Sequence, residues 1–211
     1  MSGRLQDKIA IVTGAGSVGP GWGNGRATCV RFAEEGARIF AVDRDLAGTA
    51  ETVERVKKAG GEIVTHQCDV TNSASVAAMV RTCVERFGHV DVLVNNVGGS
   101  AAGGPVEMSE EVFDAQVDFT LKSVFLTCKH VLPVMEKRKS GAIVNLASTS
   151  GLRWTGAAQV GYAATKAGII QFSRVVAVQY AAKGIRVNTV VPGQLHTPMV
   201  AARKRVMSGQ R

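Results

Sequence analysis

The sequence has few cysteines and no long apolar run, and both shortages exclude classes of protein. Only 4 of its 211 residues are cysteine, widely spaced, with no Cys-x-x-Cys pair and no matching pair of histidines. Neither a disulfide framework nor a metal site is expected. No run approaches the roughly 18 apolar residues that a membrane helix needs, and the start of the chain lacks the apolar stretch of a signal peptide. We therefore expect a cytoplasmic protein with no membrane partner.

Aromatic residues are also scarce, at 5% of the chain, whereas 25 Lys plus Arg against 17 Asp plus Glu give a formal net charge of +8. A basic excess can indicate an anionic partner. Single-stranded nucleic acid, however, usually needs aromatic side chains interleaved with the cations. The only dense basic cluster is Arg203, Lys204 and Arg205. We predict a solvated basic face and no nucleic-acid partner.

Short β-branched runs alternate with longer segments of helical period along the chain. The predicted strands are 8–13, 37–42, 62–67, 90–94, 142–147 and 186–191, and the predicted helices are 25–35, 46–59, 73–87, 112–138 and 160–183. The strands are nearly continuous apolar runs, which is typical of parallel strands covered by helices on both faces. This pattern predicts an α/β fold with a doubly wound sheet, and no linker divides residues 1–211 into more than one domain. Ligands should bind beyond the carboxyl ends of the strands.

Glycine is dense in one place only, directly after the first predicted strand. The stretch Thr13-Gly-Ala-Gly-Ser-Val-Gly-Pro-Gly-Trp-Gly-Asn-Gly25 leads into the first helix. A strand, a turn able to take positive φ and a helix N-terminus together form a cradle for a pyrophosphate. A glycine-rich loop without function is the alternative, and the strand–loop–helix context favours the cradle, with Gly14, Gly23 and Gly25 as its candidate residues.

The second strand ends at Asp43, about 20 residues beyond that loop. A carboxylate at this place can accept hydrogen bonds from the hydroxyls of an adenosine ribose and repel a 2′-phosphate, which favours NAD over NADP. Two alternatives stay open. Arg44 could bind a 2′-phosphate if Asp43 turned away, and Asp43 could be only a turn residue or a helix cap.

Tyr162 and Lys166 lie four residues apart, hence on one face of the predicted helix 160–183. A free phenol is a poor base at neutral pH, but a cation beside it favours the phenolate and makes proton exchange with an alcohol feasible. Tyr-x-x-x-Lys is common by chance, so the pair alone would indicate two surface residues. Ser148, at the end of the fifth strand, adds a hydroxyl at the same edge of the sheet.

These motifs occur in one order, from Thr13-Gly14 through Asp69, Asn95-Asn-Val-Gly98, Ser148, Tyr162-x-x-x-Lys166 and Pro192-Gly193 to Thr197. Together they resemble the short-chain dehydrogenase/reductase family over about residues 7–202. The resemblance implies a Rossmann fold whose six parallel strands follow the order 3-2-1-4-5-6. The family's usual seventh strand is missing, so we expect a chain shortened at its C-terminus.

The resemblance also implies roles for individual residues. Ser148 would hold the substrate oxygen, Tyr162 would be the general acid and base, and Lys166 would bind the nicotinamide ribose and favour the tyrosine phenolate. The remaining cofactor contacts would be Asp69 and Val70 at the adenine, Asn95 and Gly98 at mid-sheet, and Pro192, Gly193 and Thr197 near the nicotinamide. For Asn95 a purely structural role in the sheet is the alternative.

Three features depart from the family pattern. The glycine-rich loop has five extra residues, around Pro20 and Trp22, which either cover the pyrophosphate or bulge into solvent. Thr120 stands where the family usually has an asparagine that completes a proton relay with the lysine, so Thr120→Asn is expected to raise turnover. His196 is a candidate substrate contact, and Trp154 lies either in the substrate pocket or in packing.

These observations predict an oxidoreductase that transfers a hydride between NAD(H), rather than NADP(H), and a secondary alcohol or ketone. The resemblance implies a homodimer or homotetramer assembled through the two long helices. A nucleotide-binding protein with weak or no catalysis is the alternative, because of Thr120 and the short C-terminus. The sequence does not identify the substrate.

Overall fold

Six parallel strands form one sheet in the computed structural model, which describes the backbone of residues 3–207 and the side chains of residues 3–202. The strands are β1 (Ile9–Thr13), β2 (Arg38–Asp43), β3 (Ile63–Gln67), β4 (Val92–Asn95), β5 (Gly141–Leu146) and β6 (Ile185–Val190). Their order across the sheet is β3-β2-β1-β4-β5-β6, with every neighbouring pair parallel. The predicted doubly wound Rossmann fold and its strand order are confirmed.

Seven helices connect and follow these strands in the described part of the chain. They are α1 (Asn24–Glu34), α2 (Ala50–Lys58), α3 (Ser73–Phe87), α4 (Glu110–Val117), α5 (Ser123–Arg138), α6 (Val160–Tyr180) and α7 (Pro198–Met207). The predicted helix 112–138 is in fact two helices, because a π-helical turn at Asp118–Lys122 separates α4 from α5. Such turns are rare and frequently occur at functional sites.

The two faces of the sheet are buried under different helices. Alternate residues of β1 point to opposite faces, so that Ile9 and Ile11 pack with α3, α5 and α6, while Ala10 and Val12 pack with α1 and α2. The carboxyl ends of the strands stay clear of both layers. This edge is where the loops that carry the predicted site residues converge.

Three expectations from composition concern the cysteines, membrane-spanning helices and the basic cluster. All four cysteines are buried free thiols, and burial raises the pKa of Cys29, Cys83 and Cys128 to about 12. Within the described residues, no helix combines the length and apolar character required to cross a bilayer. The side chains of the basic cluster at 203–205 lie outside the described residues.

Candidate active site

One cavity of about 550 Å³ opens at the carboxyl ends of the strands. Its size is within the range of small-molecule sites. Nearly all the predicted site residues line it: Gly14, Gly23, Gly25, Asp43, Asp69, Val70, Gly98, Ser148, Tyr162, Lys166, Pro192, Gly193 and Thr197. Asn95 is the one predicted catalytic or cofactor-binding residue that does not line it. Among the described residues, no group of three His, Cys, Asp or Glu side chains is placed to hold a metal ion.

The glycine-rich loop is packed so tightly that side chains are excluded from two of its positions. Gly14 has φ +64°, a conformation that costs glycine little. A Cβ on Gly25 would lie 1.9 Å from the carbonyl oxygen of Gly14, which is an impossible distance. Helix α1 therefore begins directly against the turn that leaves β1, with its first amides facing the cavity. The geometry is that of a cradle for an anionic group.

Asn96, which the sequence analysis did not single out, holds this loop to the neighbouring strand. Its Nδ2 donates hydrogen bonds to the carbonyl oxygens of Gly14, at 2.9 Å, and Thr13, at 3.2 Å. Asn95 points instead into the sheet, where its Nδ2 donates to Oδ1 of Asn145 at 2.9 Å and its Oδ1 accepts from Thr127. The position of Asn95 therefore fits the structural alternative, and of these two neighbouring asparagines it is Asn96 that lines the cavity.

Asp43 ends β2 and Asp69 follows β3, so both line the cavity on the side of the cradle away from β4 and β5. Oδ2 of Asp43 accepts a hydrogen bond from the amide of Gly16 at 2.8 Å, so the carboxylate is fixed against the glycine-rich loop. Hydrogen bonds from the hydroxyl and amide of Thr71 lower the pKa of Asp69, and the charge of Arg44 adds to this effect. Two fixed anionic groups thus face the space next to the exposed Arg44.

Ser148, Tyr162 and Lys166 line the part of the cavity next to the end of β5. Ser148 begins the turn after β5, and its Oγ accepts a hydrogen bond from the amide of Ser150 at 3.2 Å. Gly151 lets this turn lie directly on α6, since a Cβ there would be 2.7 Å from the carbonyl carbon of Lys166. The absence of that one side chain places the serine beside the helix that carries the tyrosine and the lysine.

Lys166 is a buried cation, 3% exposed. Its Nζ donates a hydrogen bond to the carbonyl oxygen of Leu146 at 2.6 Å and lies 5.7 Å from the centroid of the Tyr162 ring. Burial lowers the pKa of Lys166 to about 8. A Cβ on Gly98 would lie 3.1 Å from Nζ, so this glycine leaves the ammonium open to the cavity.

Of the remaining candidates, Thr197, His196 and Trp154, only Thr197 lines the cavity. Oγ1 of Thr197 accepts from the amide of Val200 at 3.3 Å and so begins α7. His196 does not line the main cavity but a smaller hollow, together with Pro20 and Trp22. Trp154 lies outside both cavities and is 73% exposed, so its proposed place in the substrate pocket is not supported by this geometry.

The five extra residues of the glycine-rich loop lie between α2 and α7. The guanidinium of Arg55 stacks on the ring of Trp22, 4.4 Å from its centroid, and anchors the loop on α2. A Cβ on Gly19 would come within 3.6 Å of Cβ of Pro198. The loop is therefore held between α2 and α7 rather than free in solvent, but Pro20 and Trp22 line the smaller hollow and not the cavity with the cradle.

The residues of this cavity fit a dinucleotide. The cradle at Gly14 and Gly25 leaves backbone amides free for a pyrophosphate, the carboxylate of Asp43 suits ribose hydroxyls, and the open ammonium of Lys166 suits a second ribose. Along the edge of the sheet the cradle, which follows β1, lies between Asp43 at the end of β2 and Lys166 beside the end of β5.

The comparison with protein families agrees with this geometry. Residues 8–207 match the family model described as short chain dehydrogenase. The chain belongs to the short-chain dehydrogenase/reductase family. Levodione reductase from Leifsonia aquatica is 40% identical over 200 residues, which is 93% of this chain and 73% of the relative.

Solved structures of the family match the whole described fold. A protein of Burkholderia xenovorans, described as a short-chain dehydrogenase/reductase, has 59% identity and a TM-score of 0.95 over 99% of this chain and 82% of its own. A xylitol dehydrogenase bound to NAD⁺ matches with 31% identity and a TM-score of 0.87, over 95% of this chain and 75% of its own. An actinorhodin polyketide ketoreductase with NADPH matches with 36% identity and a TM-score of 0.89, over 98% of this chain and 77% of its own.

Proposed function

We propose that this protein is an NAD(H)-dependent oxidoreductase that interconverts a secondary alcohol and its ketone. The observation that carries the proposal is one cavity that is lined both by the glycine cradle and by Ser148, Tyr162 and Lys166. The first set suits a dinucleotide and the second set suits proton exchange with an alcohol oxygen. Family membership adds relatives whose names are those of reductases and dehydrogenases.

The residues divide the chemistry between them. A bound nicotinamide dinucleotide supplies the redox step, taking a hydride from the alcohol carbon or returning one to the carbonyl carbon. Ser148 donates a hydrogen bond to the substrate oxygen and holds it beside the phenol. In the oxidative direction the Tyr162 phenolate accepts the hydroxyl proton as the C–O bond becomes a carbonyl, and in reduction the phenol returns it.

Lys166 has two functions in this scheme. Its ammonium, 5.7 Å from the Tyr162 ring, favours the negative charge of the phenolate, and the gap above Gly98 lets it also bind a ribose hydroxyl. Because burial lowers the pKa of Lys166 to about 8, the cation is largely present at neutral pH and is lost in alkaline solution.

NAD is proposed rather than NADP because of the fixed carboxylate of Asp43. An NADP 2′-phosphate would be placed against this negative charge in a site of limited solvent access. The related structures hold either cofactor, so the choice rests on Asp43 and on the exposed position of Arg44.

A cofactor-linked screen tests the proposal directly. Purified protein is incubated with a panel of secondary alcohols and ketones and with each of the two cofactors, and the nicotinamide absorbance is followed. We expect turnover with NAD(H). The Tyr162→Phe variant should lose at least about a hundredfold in kcat, while Tyr180→Phe, which changes the only other tyrosine, should retain activity.

Two results would contradict the proposal. NADH binding without turnover on the whole panel would favour the alternative, a nucleotide-binding protein with little or no catalysis. Full activity in Tyr162→Phe would reject the phenol as the acid and base.

Self-association is part of the proposal, as a homodimer or homotetramer. Exposed apolar side chains lie on α4, α5 and α6: Val112, Phe113, Phe125, Val175 and Val178. Apolar surface of this kind is typical of protein interfaces. Light scattering after gel filtration should give a multiple of the 22.2 kDa chain mass. The cytoplasmic location stays a prediction.

A further inference from the structure

Gln116 on α4 is a buried amide with no role in the proposed mechanism so far. It is 5% exposed and one helical turn before Thr120. Its Nε2 donates to Oγ1 of Thr120 at 2.6 Å and to the carbonyl oxygen of Gly99 at 2.8 Å, while its Oε1 accepts from the amide of Ala101 at 2.9 Å. Both N–H groups and the carbonyl are therefore used, which makes the geometry of this side chain highly determined.

The partners of this amide belong to two walls of the site, the loop at residues 99–103, called the rim loop below, and the π-helical turn. Gly99 lies on the rim of the cavity, directly after Gly98, which faces the ammonium of Lys166. Thr120 is fully buried at the centre of the π-helical turn, next to Phe119, which lines the cavity. One side chain thus fixes the rim loop to the turn between α4 and α5.

Gln116 also packs against the start of α6. A Cβ on Gly161, the residue directly before Tyr162, would lie 3.3 Å from Cγ of Gln116. The rim loop also contacts the start of α6 directly, because the amide of Val160 donates a hydrogen bond to the carbonyl oxygen of Gly103 at 3.0 Å. A change at Gln116 would therefore act on the first turn of α6, where the phenol is carried.

The amide of Gln116 lies beside Thr120, the position at which the family usually has an asparagine amide and this chain has none. The family usually places an asparagine at the position of Thr120, and threonine has no amide of its own. Here a side-chain amide reaches the Thr120 hydroxyl from the preceding turn of the helix. We propose that Gln116 is a positioning residue of this active site, which replaces the missing asparagine amide and holds the rim loop and the start of α6 in register.

This proposal rests on the proposed function, and it changes one expectation from the sequence. Thr120→Asn was expected to raise turnover because it restores the family residue. In the structure the Thr120 side chain is fully buried and already hydrogen-bonded, so a larger side chain would displace Gln116. We now expect Thr120→Asn alone to lower turnover.

The first experiment compares Gln116→Met with the wild-type protein. Methionine has nearly the same length but cannot make the three hydrogen bonds. We expect kcat to fall between about tenfold and a hundredfold, as for a misplaced catalytic group, while the dissociation constant for NADH changes by less than about twofold, because the cradle at Gly14 and Gly25 is untouched. Thr120→Ser, which keeps the hydroxyl, should stay within about twofold of wild-type kcat.

The second experiment exchanges the two positions. Gln116→Ala makes room for a larger residue at 120, so Thr120→Asn should raise kcat in the Gln116→Ala background although it lowers kcat in the wild-type background. The effect of Thr120→Asn on kcat should change sign between the two backgrounds if the same amide can be supplied from either position. A residue that only stabilises the fold would give the same sign in both backgrounds, and that result would overturn the proposal.

A third measurement does not depend on activity. Hydrogen exchange of the segment 99–101 should become at least about fivefold faster in Gln116→Met, because the amide of Ala101 loses its acceptor, while the strands exchange as before. If the wild-type protein shows no turnover, the proposed function fails and this exchange result alone decides whether Gln116 holds the rim. Unchanged exchange, or kcat within about twofold of wild type, would contradict the proposal.

Discussion

The amide of Gly16 donates a hydrogen bond to Oδ2 of Asp43 at 2.8 Å and so ties the glycine-rich loop to the end of β2. A Cβ on Gly16 would lie 2.9 Å from that same oxygen, so this glycine permits the contact. The carboxylate is thereby fixed against the loop rather than free to rotate into solvent. We therefore expect the preference between NAD and NADP to depend on this fixed negative charge.

Replacing Asp43 should change the preference between the two cofactors. We expect Asp43→Ser to lower the ratio of kcat/KM for NAD to that for NADP by at least about tenfold, since the repulsion of a 2′-phosphate is removed. Steady-state kinetics with both cofactors measure this ratio. Asp45→Ser makes the same change in net charge two residues away, and an equal effect there would show that charge alone is responsible.

A matched pair of substitutions tests the cradle. Gly25→Ala places a methyl group 1.9 Å from the carbonyl oxygen of Gly14, whereas Gly23→Ala meets nothing closer than Oγ of Ser17 at 3.8 Å. We expect Gly25→Ala to cost about 2 kcal/mol or more in the free energy of unfolding and to abolish NADH binding. Gly23→Ala should fold normally. Urea titration and NADH fluorescence distinguish the two, and a well-folded Gly25→Ala that binds NADH would refute the close packing described here.

Lys166→Met should separate stability from activity. Lowering the pKa of Lys166 from 10.5 to about 8 corresponds to a cost of about 3 kcal/mol for keeping the buried cation. Methionine removes this cost and loses the hydrogen bond to Leu146, of about 1–2 kcal/mol. We expect a net gain of about 1–2 kcal/mol at pH 7, with kcat reduced at least about a hundredfold.

The pH dependence of that gain follows from the direction of the pKa change. Between pH 8 and 10.5 the folded wild-type protein releases the proton first, while the unfolded chain still holds it, so wild-type stability rises through this range. The advantage of Lys166→Met should therefore shrink as the pH increases from 8 to 10.5. Urea titrations at several pH values measure it, and an advantage that grows with pH would contradict the assignment.

Asp91 offers a test of stability that leaves the site intact. This buried carboxylate, at the amino end of the sheet, accepts hydrogen bonds from the amide of Ile9 and from Nε2 of His89, both at 2.9 Å. Asp91→Ala leaves both donors without a partner, and we expect a loss of about 3 kcal/mol in the free energy of unfolding with kcat unchanged. The exposed Asp118→Ala should cost under about 1 kcal/mol. A loss of catalysis at a temperature where the Asp91 variant is folded would show that the two edges of the sheet are coupled.

The strands were predictable because their signal is local. Each observed strand lies within two residues of its predicted bounds, since buried parallel strands are uninterrupted apolar runs between polar loops. The π-helical turn at Asp118–Lys122 was not predictable, because one extra residue in a helical turn leaves the apolar period of the flanking helices almost unchanged. The helix 112–138 was therefore expected to be continuous.

The sequence points to the residues of the candidate site more directly than to its supporting contacts. Glycines, carboxylates and the Tyr–Lys pair are recognised by residue type and spacing, and they line the cavity. Asn95 and Asn96 are adjacent at a strand end, and only the register decides which of them enters the core. Gln116 is only one helical turn before Thr120, but it belongs to none of the motifs, and its contact with Gly99, 17 residues away, depends on tertiary packing.

The single parallel bridge between Gly103 and Gln159 also affects how molecules reach the site. It joins the rim loop to the residue preceding α6, so that wall cannot swing outward without breaking backbone hydrogen bonds. The facing wall, formed by Leu195, Pro198 and Met199, has no strand pairing of this kind. Substrate and product should consequently enter and leave past α7.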